Sequence, residues 1–171
     1  MTWFVEIFSD KSDLARLVSI LISAIVAILV VLLNQWILSR RARKELLIGK
    51  VEELFSASNE YIAACRDLLD TLQRNGLKNL DKSYEYSTET VYKLNGSIST
   101  MQMICGLYFR SEDFSPDDYH ISRMPILEIA HRRKSLPAGE AFVAYQESKN
   151  HIENSKTQLD NLCKRLMKKY G

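Results

Sequence analysis

A run of 23 consecutive residues without a charged side chain, from Leu17 to Ser39, constrains this chain more than any other feature of its sequence. The run is rich in Ile, Leu, Val and Ala. A helix of that length spans the hydrocarbon core of a bilayer, which is about 30 Å thick. The core helix of a soluble protein rarely extends so far without Asp, Glu, Lys or Arg. The sequence therefore predicts one transmembrane helix at residues 14–39.

The charges on either side of the run predict its orientation. Residues 1–13 are acidic on balance, and directly after the run comes a basic cluster of Arg40, Arg41, Arg43 and Lys44. By the positive-inside rule, residues 1–13 form a short extracytoplasmic segment and residues 40–171 are cytoplasmic. A cleaved signal peptide fits poorly, because the run is too long and no small-x-small cleavage pattern follows it. We expect a single-pass protein, with the bacterial inner membrane as its location.

Two patterns near the membrane indicate contacts. The basic cluster is expected to lie at the headgroups, where each cation contributes about 1 kcal/mol on an anionic surface, besides setting the orientation. Within the run, Ser19, Ser23 and Ala27 recur every four residues, a spacing at which small side chains let two membrane helices pack closely. A lipid-facing stripe is the alternative for these three residues. The lipid bilayer is thus the first expected partner.

The remainder of the chain has the pattern of an all-α protein. It contains few glycines and prolines, and its apolar residues recur at helical spacing. After the basic cluster a heptad row continues, with a second row beside it, so the apolar face is broader than a two-stranded coiled-coil seam. The first row is Leu47, Val51, Leu54, Ser58, Tyr61, Cys65, Leu68 and Leu72. The second is Ile48, Phe55, Ile62 and Leu69.

Helix boundaries divide residues 40–171 into about four helices. The first is expected to continue from the membrane helix without a break and to stop at Asn75-Gly76. A second begins near Asp81 or Ser83 and ends near Arg110, a third begins at Ser115-Pro116 and bends at Pro125, and a last one follows residues 135–140. The apolar face of the second comprises Val91, Leu94, Ile98, Met101, Cys105 and Tyr108. That of the last comprises Phe142, Tyr145, Ile152, Leu159, Cys163, Leu166 and Tyr170. The sequence predicts a cytoplasmic antiparallel bundle.

Catalytic, metal and cofactor sites are not indicated by any motif. Glu128 and His131 have the Glu-x-x-His spacing of di-iron bundles, but such sites need a second copy and two more carboxylates, which the sequence lacks. His120 and His151 have no partners at ligand spacing. The three cysteines fall on apolar faces without a Cys-x-x-Cys pair, so we expect them to pack in the core. We therefore expect no metal, no cofactor and no enzymatic activity.

Three functions remain open. The preferred one is a membrane-anchored module that binds a protein partner or self-associates, acting as a scaffold or sensor. A membrane-disturbing effector of a toxin or defence system is the alternative, and a membrane-bound enzyme with a dispersed site is the third. Nucleic acid is not an expected partner, because the net charge is only +2. A second basic stretch at 131–134 is expected to be a solvated helix end, with lipid, RNA or an acidic partner as alternatives.

Overall fold

A computed structural model of the chain describes residues 11–76, 87–112, 114–118 and 138–171. Within these ranges the structure is all-helical, as predicted, with no strand. It contains three α-helices, α1 (Lys11–Gly76), α2 (Thr88–Tyr108) and α3 (Ala138–Tyr170), and a 3₁₀ turn at Pro116–Asp118. The chain divides into two compact units, Met1–Glu45 and Leu46–Gly171. We call the second the packed unit.

α1 is a single helix of 66 residues. No proline occurs in it, and Gly49 is its only glycine before the last residue, Gly76. A Cβ atom at Gly49 would meet no atom within 4 Å, so no close approach requires glycine there. The predicted continuity from the apolar run into the next helix is confirmed. The predicted stop at Asn75-Gly76 stays a prediction, because residues 77–86 lie outside the described residues.

The core of the packed unit contains side chains from all three helices. α1 provides half of them, because the predicted heptad row is buried from Val51 to Leu72, with Leu47 packed against its edge. The second row is confirmed at Ile62 and Leu69, each 3% exposed. It is wrong at Phe55, which is 46% exposed.

The buried faces of α2 and α3 are rotated from the predicted ones. On α2 the prediction holds for Leu94, Met101 and Cys105 but not for Val91 and Tyr108, which are exposed. The missed members of that face are Thr90, Ser97 and Ile104. On α3, Phe142 is 61% exposed, whereas four side chains that were not predicted are buried. These are Ala144, Ser148, Ser155 and Leu162.

Contacts between side chains define the directions of the helices in the packed unit. Near one end, Asp67 of α1 accepts a hydrogen bond from Thr90 at the start of α2. Near the other, the Nζ atom of Lys50 lies 5.3 Å from the ring centroid of Tyr108, at the end of α2. The ring of Tyr108's neighbour Phe109 lies 5.4 Å from that of Tyr170, the last residue of α3. α2 and α3 therefore both run antiparallel to α1 and parallel to each other.

α2 begins later than predicted. Its N-cap is Ser87, whose backbone is extended at φ −60° and ψ 123°, so the helix cannot include the residue before Thr88. The predicted start near Asp81 or Ser83 is therefore wrong. At the predicted helical start Ser115-Pro116 the structure has a 3₁₀ turn, in which the backbone N–H of Asp118 donates to the carbonyl of Ser115. The rest of that predicted helix, with Pro125, lies outside the described residues.

Candidate functional site

The apolar run forms the exposed surface of α1 in the first unit. Its most apolar 18-residue window has a mean hydropathy of 2.9, and none of that window is buried. Ile20, for example, is 69% exposed and Ile28 is 60% exposed. By length and composition, α1 is the one helix of the described part that can cross a membrane. Its exposure also shows that the run is not a core helix of this fold.

The predicted basic cluster lies on the same helix, directly after the run, and all four of its side chains are exposed. The guanidinium carbon of Arg40 lies 4.0 Å above the ring centroid of Trp36, one helical turn earlier. Such a cation–π contact holds a cation beside an amphipathic ring. Ser19, Ser23 and Ala27 are exposed along one side of the helix, as their spacing requires. Their proposed packing against a second helix stays a prediction.

A polar groove of about 270 Å³ lies between α1 and α2. Its charged lining residues are Glu53, Glu60 and Lys93, and its floor is made of small residues and hydroxyls. The ammonium of Lys93 donates to Glu89 at 2.7 Å. That hydrogen bond is the main cause that raises the pKa of Lys93 and lowers the pKa of Glu89. The charges of the groove are thus partly satisfied within the protein. Sequence analysis missed this groove, which depends on how closely two helices approach.

Two further polar contacts link the helices at the far end from Lys50. Thr90 is buried, and its hydroxyl donates to the carboxylate of Asp67 at 2.9 Å. Arg66 donates to Glu153 of α3 at 2.6 Å, and both side chains are about half exposed. Exposed pairs of this kind contribute little to stability, typically up to about 1 kcal/mol. The two contacts show that α1 lies beside both α2 and α3 at this end. Neither contact provides a reactive group.

The three cysteines are buried and form no disulfide with one another. Their predicted packing in the core is confirmed. Burial raises the pKa of Cys65 and of Cys105 to about 12, and that of Cys163 to about 11. A thiol of that kind carries almost no thiolate at neutral pH, and the thiolate is the reactive form. The cysteines are structural groups in this fold.

We expect the free energy of unfolding to fall as the pH rises from 9 towards 11. The folded thiols bind their protons more tightly than thiols with the ordinary pKa of 9.0, so their contribution is complete below that pH and lost above it. Burial raises the pKa of Tyr61 as well, which adds a loss of the same sign. Urea unfolding of the detergent-solubilised chain at several pH values measures the slope. The variant Cys105→Ala should show a shallower slope than the wild type, and an equal slope would contradict the assignment.

The structure does not test the Glu-x-x-His motif that the sequence contains. Glu128, His131 and His120 lie outside the described residues. Within the ranges that the structure describes, no group of three or more His, Cys, Asp and Glu side chains is arranged to hold a metal ion. His151 lies on α3 and is partly buried.

The exposed side of α2 is uncharged over most of its length and combines apolar side chains with the polar Asn95, Ser99 and Gln102. No charged residue occurs between Lys93 and Arg110. Tyr92 is 75% exposed and Met103 is 51% exposed, and Gly96 lies between them on the same side, with open space where a Cβ would be. An exposed helix surface without charge that carries Tyr and Met is typical of a contact with another protein. The sequence prediction for α2 covered only its buried face and did not identify this outer surface.

Comparison of the chain with protein-family models, with curated proteins and with solved structures finds no match.

Proposed function

We propose that this chain is a single-pass membrane protein whose packed unit is a non-enzymatic interaction module at the cytoplasmic face. The observation that carries the proposal is the apolar run of α1, which is exposed along its whole length and directly followed by the basic cluster. Bilayer lipid is the environment that such a surface requires, since apolar area exposed to water is unfavourable. The continuous helix from the run to Gly76 supports a permanent anchor over a cleaved leader.

The packed unit is proposed to be a four-helix bundle. α2 and α3 run parallel, so the chain between Tyr108 and Ala138 must return along the length of the unit. Seventeen residues separate Lys50 from Asp67 on α1, which corresponds to about 26 Å of helix. We propose that the helix predicted from the sequence to begin at Ser115-Pro116 covers that distance and runs antiparallel to both α2 and α3. This is the up-down arrangement common in helical bundles.

The orientation is tested with reporters fused after Gly171 in a bacterial host. A fluorescent protein that matures only in the cytoplasm should be bright, and alkaline phosphatase, which requires export, should be inactive. In the matched variant the four basic residues become Asn while Glu6 and Asp10 become Lys, and phosphatase activity should then appear. An active phosphatase on the unaltered chain would contradict the proposed topology.

The interaction surface is tested by photocrosslinking in intact membranes. A photoreactive residue at Tyr92, on the uncharged side of α2, is expected to give a discrete crosslinked product, either a second copy or another protein. The control position is Lys149, which is exposed on α3. It should give little product, because charged exposed surfaces are depleted at interface centres. The absence of any product from Tyr92 would contradict an interaction module.

A further inference from the structure

The end of α3 returns to the place where the chain enters the packed unit. The unit begins at Leu46, and Lys50, one turn later, lies 5.3 Å from the ring centroid of Tyr108. Phe109 follows in the chain and its ring lies 5.4 Å from the ring of Tyr170. The last turns of α2 and α3 thus meet beside the first turn of α1 in this unit. We call this the entry end.

Cations are concentrated at the entry end. Residues 164–170 contain four cations and no acid, and Arg110 adds a fifth cation just after α2. Glu112 partly neutralises them, because it lies 3.4 Å from the ammonium of Lys169 and 3.9 Å from Arg165. In the described part of the chain, no ion pair engages Lys164, Lys168 or Arg110, and all three are exposed. A free positive charge therefore remains on this surface.

Exposed apolar side chains accompany these cations. Leu107 is 59% exposed on the last turn of α2, and Met167 is 38% exposed between Lys164 and Lys168. The dipole of α3 accounts for cations in its last turn, since they lie near its negative end. It does not account for exposed Leu and Met side chains beside them. Apolar side chains among Lys and Arg are typical of surfaces that rest on a lipid headgroup layer.

We propose that the entry end binds anionic lipid headgroups through Arg110, Lys164 and Lys168, with Leu107 and Met167 inserted between them. The inference rests on the proposed function, because it requires the apolar run to span the bilayer. Lys50, at the entry end, follows Ser39 by only eleven residues in the sequence, so the covalent link to the membrane is short. The potential of an anionic leaflet extends about 8–10 Å beyond its headgroups. We therefore expect the lipid charges to attract these cations once the apolar run spans the bilayer.

The test uses the full chain in vesicles and a fluorophore at Asn161→Cys. Asn161 is exposed on the side of α3 that carries Lys164 and Lys168, and the native cysteines are buried, so labelling is selective. Vesicles contain phosphatidylcholine alone or with phosphatidylserine, and in both a fraction of the phosphatidylcholine carries a headgroup quencher. We expect at least about twofold more quenching with phosphatidylserine, and loss of the difference in 1 M salt, where the Debye length is about 3 Å.

Charge reversal identifies the residues. Lys164→Glu with Lys168→Glu should abolish the phosphatidylserine-dependent quenching. The matched control is Arg74→Glu with Lys149→Glu, which reverses two exposed cations away from the entry end and should leave the quenching unchanged.

Flotation of the same vesicles shows whether the chain is integrated, so failure of the anchor is detected separately and would overturn the proposed function. Integrated protein whose quenching depends on neither phosphatidylserine nor charge reversal would overturn the lipid surface alone. RNA or an acidic protein can also be added to both vesicle types. If either one lowers the quenching by the same amount in the two, the surface would be assigned to that partner and the proposed lipid site would be overturned.

Discussion

Phe109→Ala is expected to lower the free energy of unfolding of the packed unit by about 3–5 kcal/mol. Phe109 has 0% exposure and is one of the largest fully buried side chains. Its ring contacts Tyr170 at a centroid distance of 5.4 Å and an angle of 43°. Removing it leaves a cavity where the ends of α2 and α3 meet, and it also removes the aromatic pair. Tyr108, its neighbour in the chain, is 37% exposed and is not part of this core.

The buried thiols provide the measurement. Cys65, Cys105 and Cys163 react with a thiol reagent only when the packed unit opens, so labelling rates across a urea series report its unfolding in the detergent-solubilised chain. This readout does not report on the apolar run itself, because residues 17–39 contain no cysteine. The control is Tyr92→Ala, an aromatic residue of α2 that is 75% exposed and should change stability by about 0.5 kcal/mol or less. Equal effects of the two substitutions would show that Phe109 is not a core residue.

The burial of Phe109 could not be predicted from the sequence. The helical pattern of α2 placed Tyr108 on the apolar face and did not identify Phe109. In the structure the chain leaves the helix at Phe109, with φ −126° and ψ 46°, while its N–H still donates to the carbonyl of Cys105. This change of backbone conformation turns the side chain inward. Periodicity describes residues inside a helix, so it cannot predict the first residue after one.

The features that were predicted correctly depend on α1. Its apolar run, its continuity and its buried heptad row follow from local rules of length, charge and spacing, and the row packs against two helices at once. The outer members of the other faces were harder to predict. Val91 and Phe142 belong to apolar rows by spacing but are exposed, because burial depends on which neighbouring helix covers each row. The entry end has the same character, since it combines residues of α2 and α3 that are distant in the chain.

The groove between α1 and α2 and the hydrogen bond from Thr90 to Asp67 had no signal in the sequence. Each depends on how α1 and α2 are aligned along their lengths, and the periodicity of each helix does not specify that alignment. The parallel direction of α2 and α3 likewise depends on contacts between helices, such as that of Phe109 with Tyr170. By contrast, the basic cluster could be located from the sequence alone, because charges after an apolar run are adjacent in the chain and need no tertiary contact to act together.

Ile25→Arg combined with Leu29→Arg is expected to remove the chain from the membrane. Both side chains lie near the middle of the apolar run, one turn apart, and both are more than half exposed, so neither arginine can be shielded by protein in the described structure. Each arginine at the centre of a membrane helix costs about 2.5–3.5 kcal/mol on insertion scales, and two on one side cost about 5–7 kcal/mol. They are too far from either end for their guanidinium groups to reach water easily.

Flotation of vesicles or native membranes in a density gradient measures this effect, since aggregates sediment while integrated protein floats. The control is Asn95→Arg with Gln102→Arg, which adds the same two charges at exposed positions of α2. That variant should float like the wild type. If the run were instead a core helix of a soluble domain, the wild type itself would not float. The paired arginines would then unfold the protein. Floating wild type, floating control and sedimenting Ile25→Arg/Leu29→Arg protein together require that lipid surrounds this part of α1. An Ile25→Arg/Leu29→Arg protein that still floats would mean that the run is held by another protein, because only a polar protein surface can stabilise two buried guanidinium groups there.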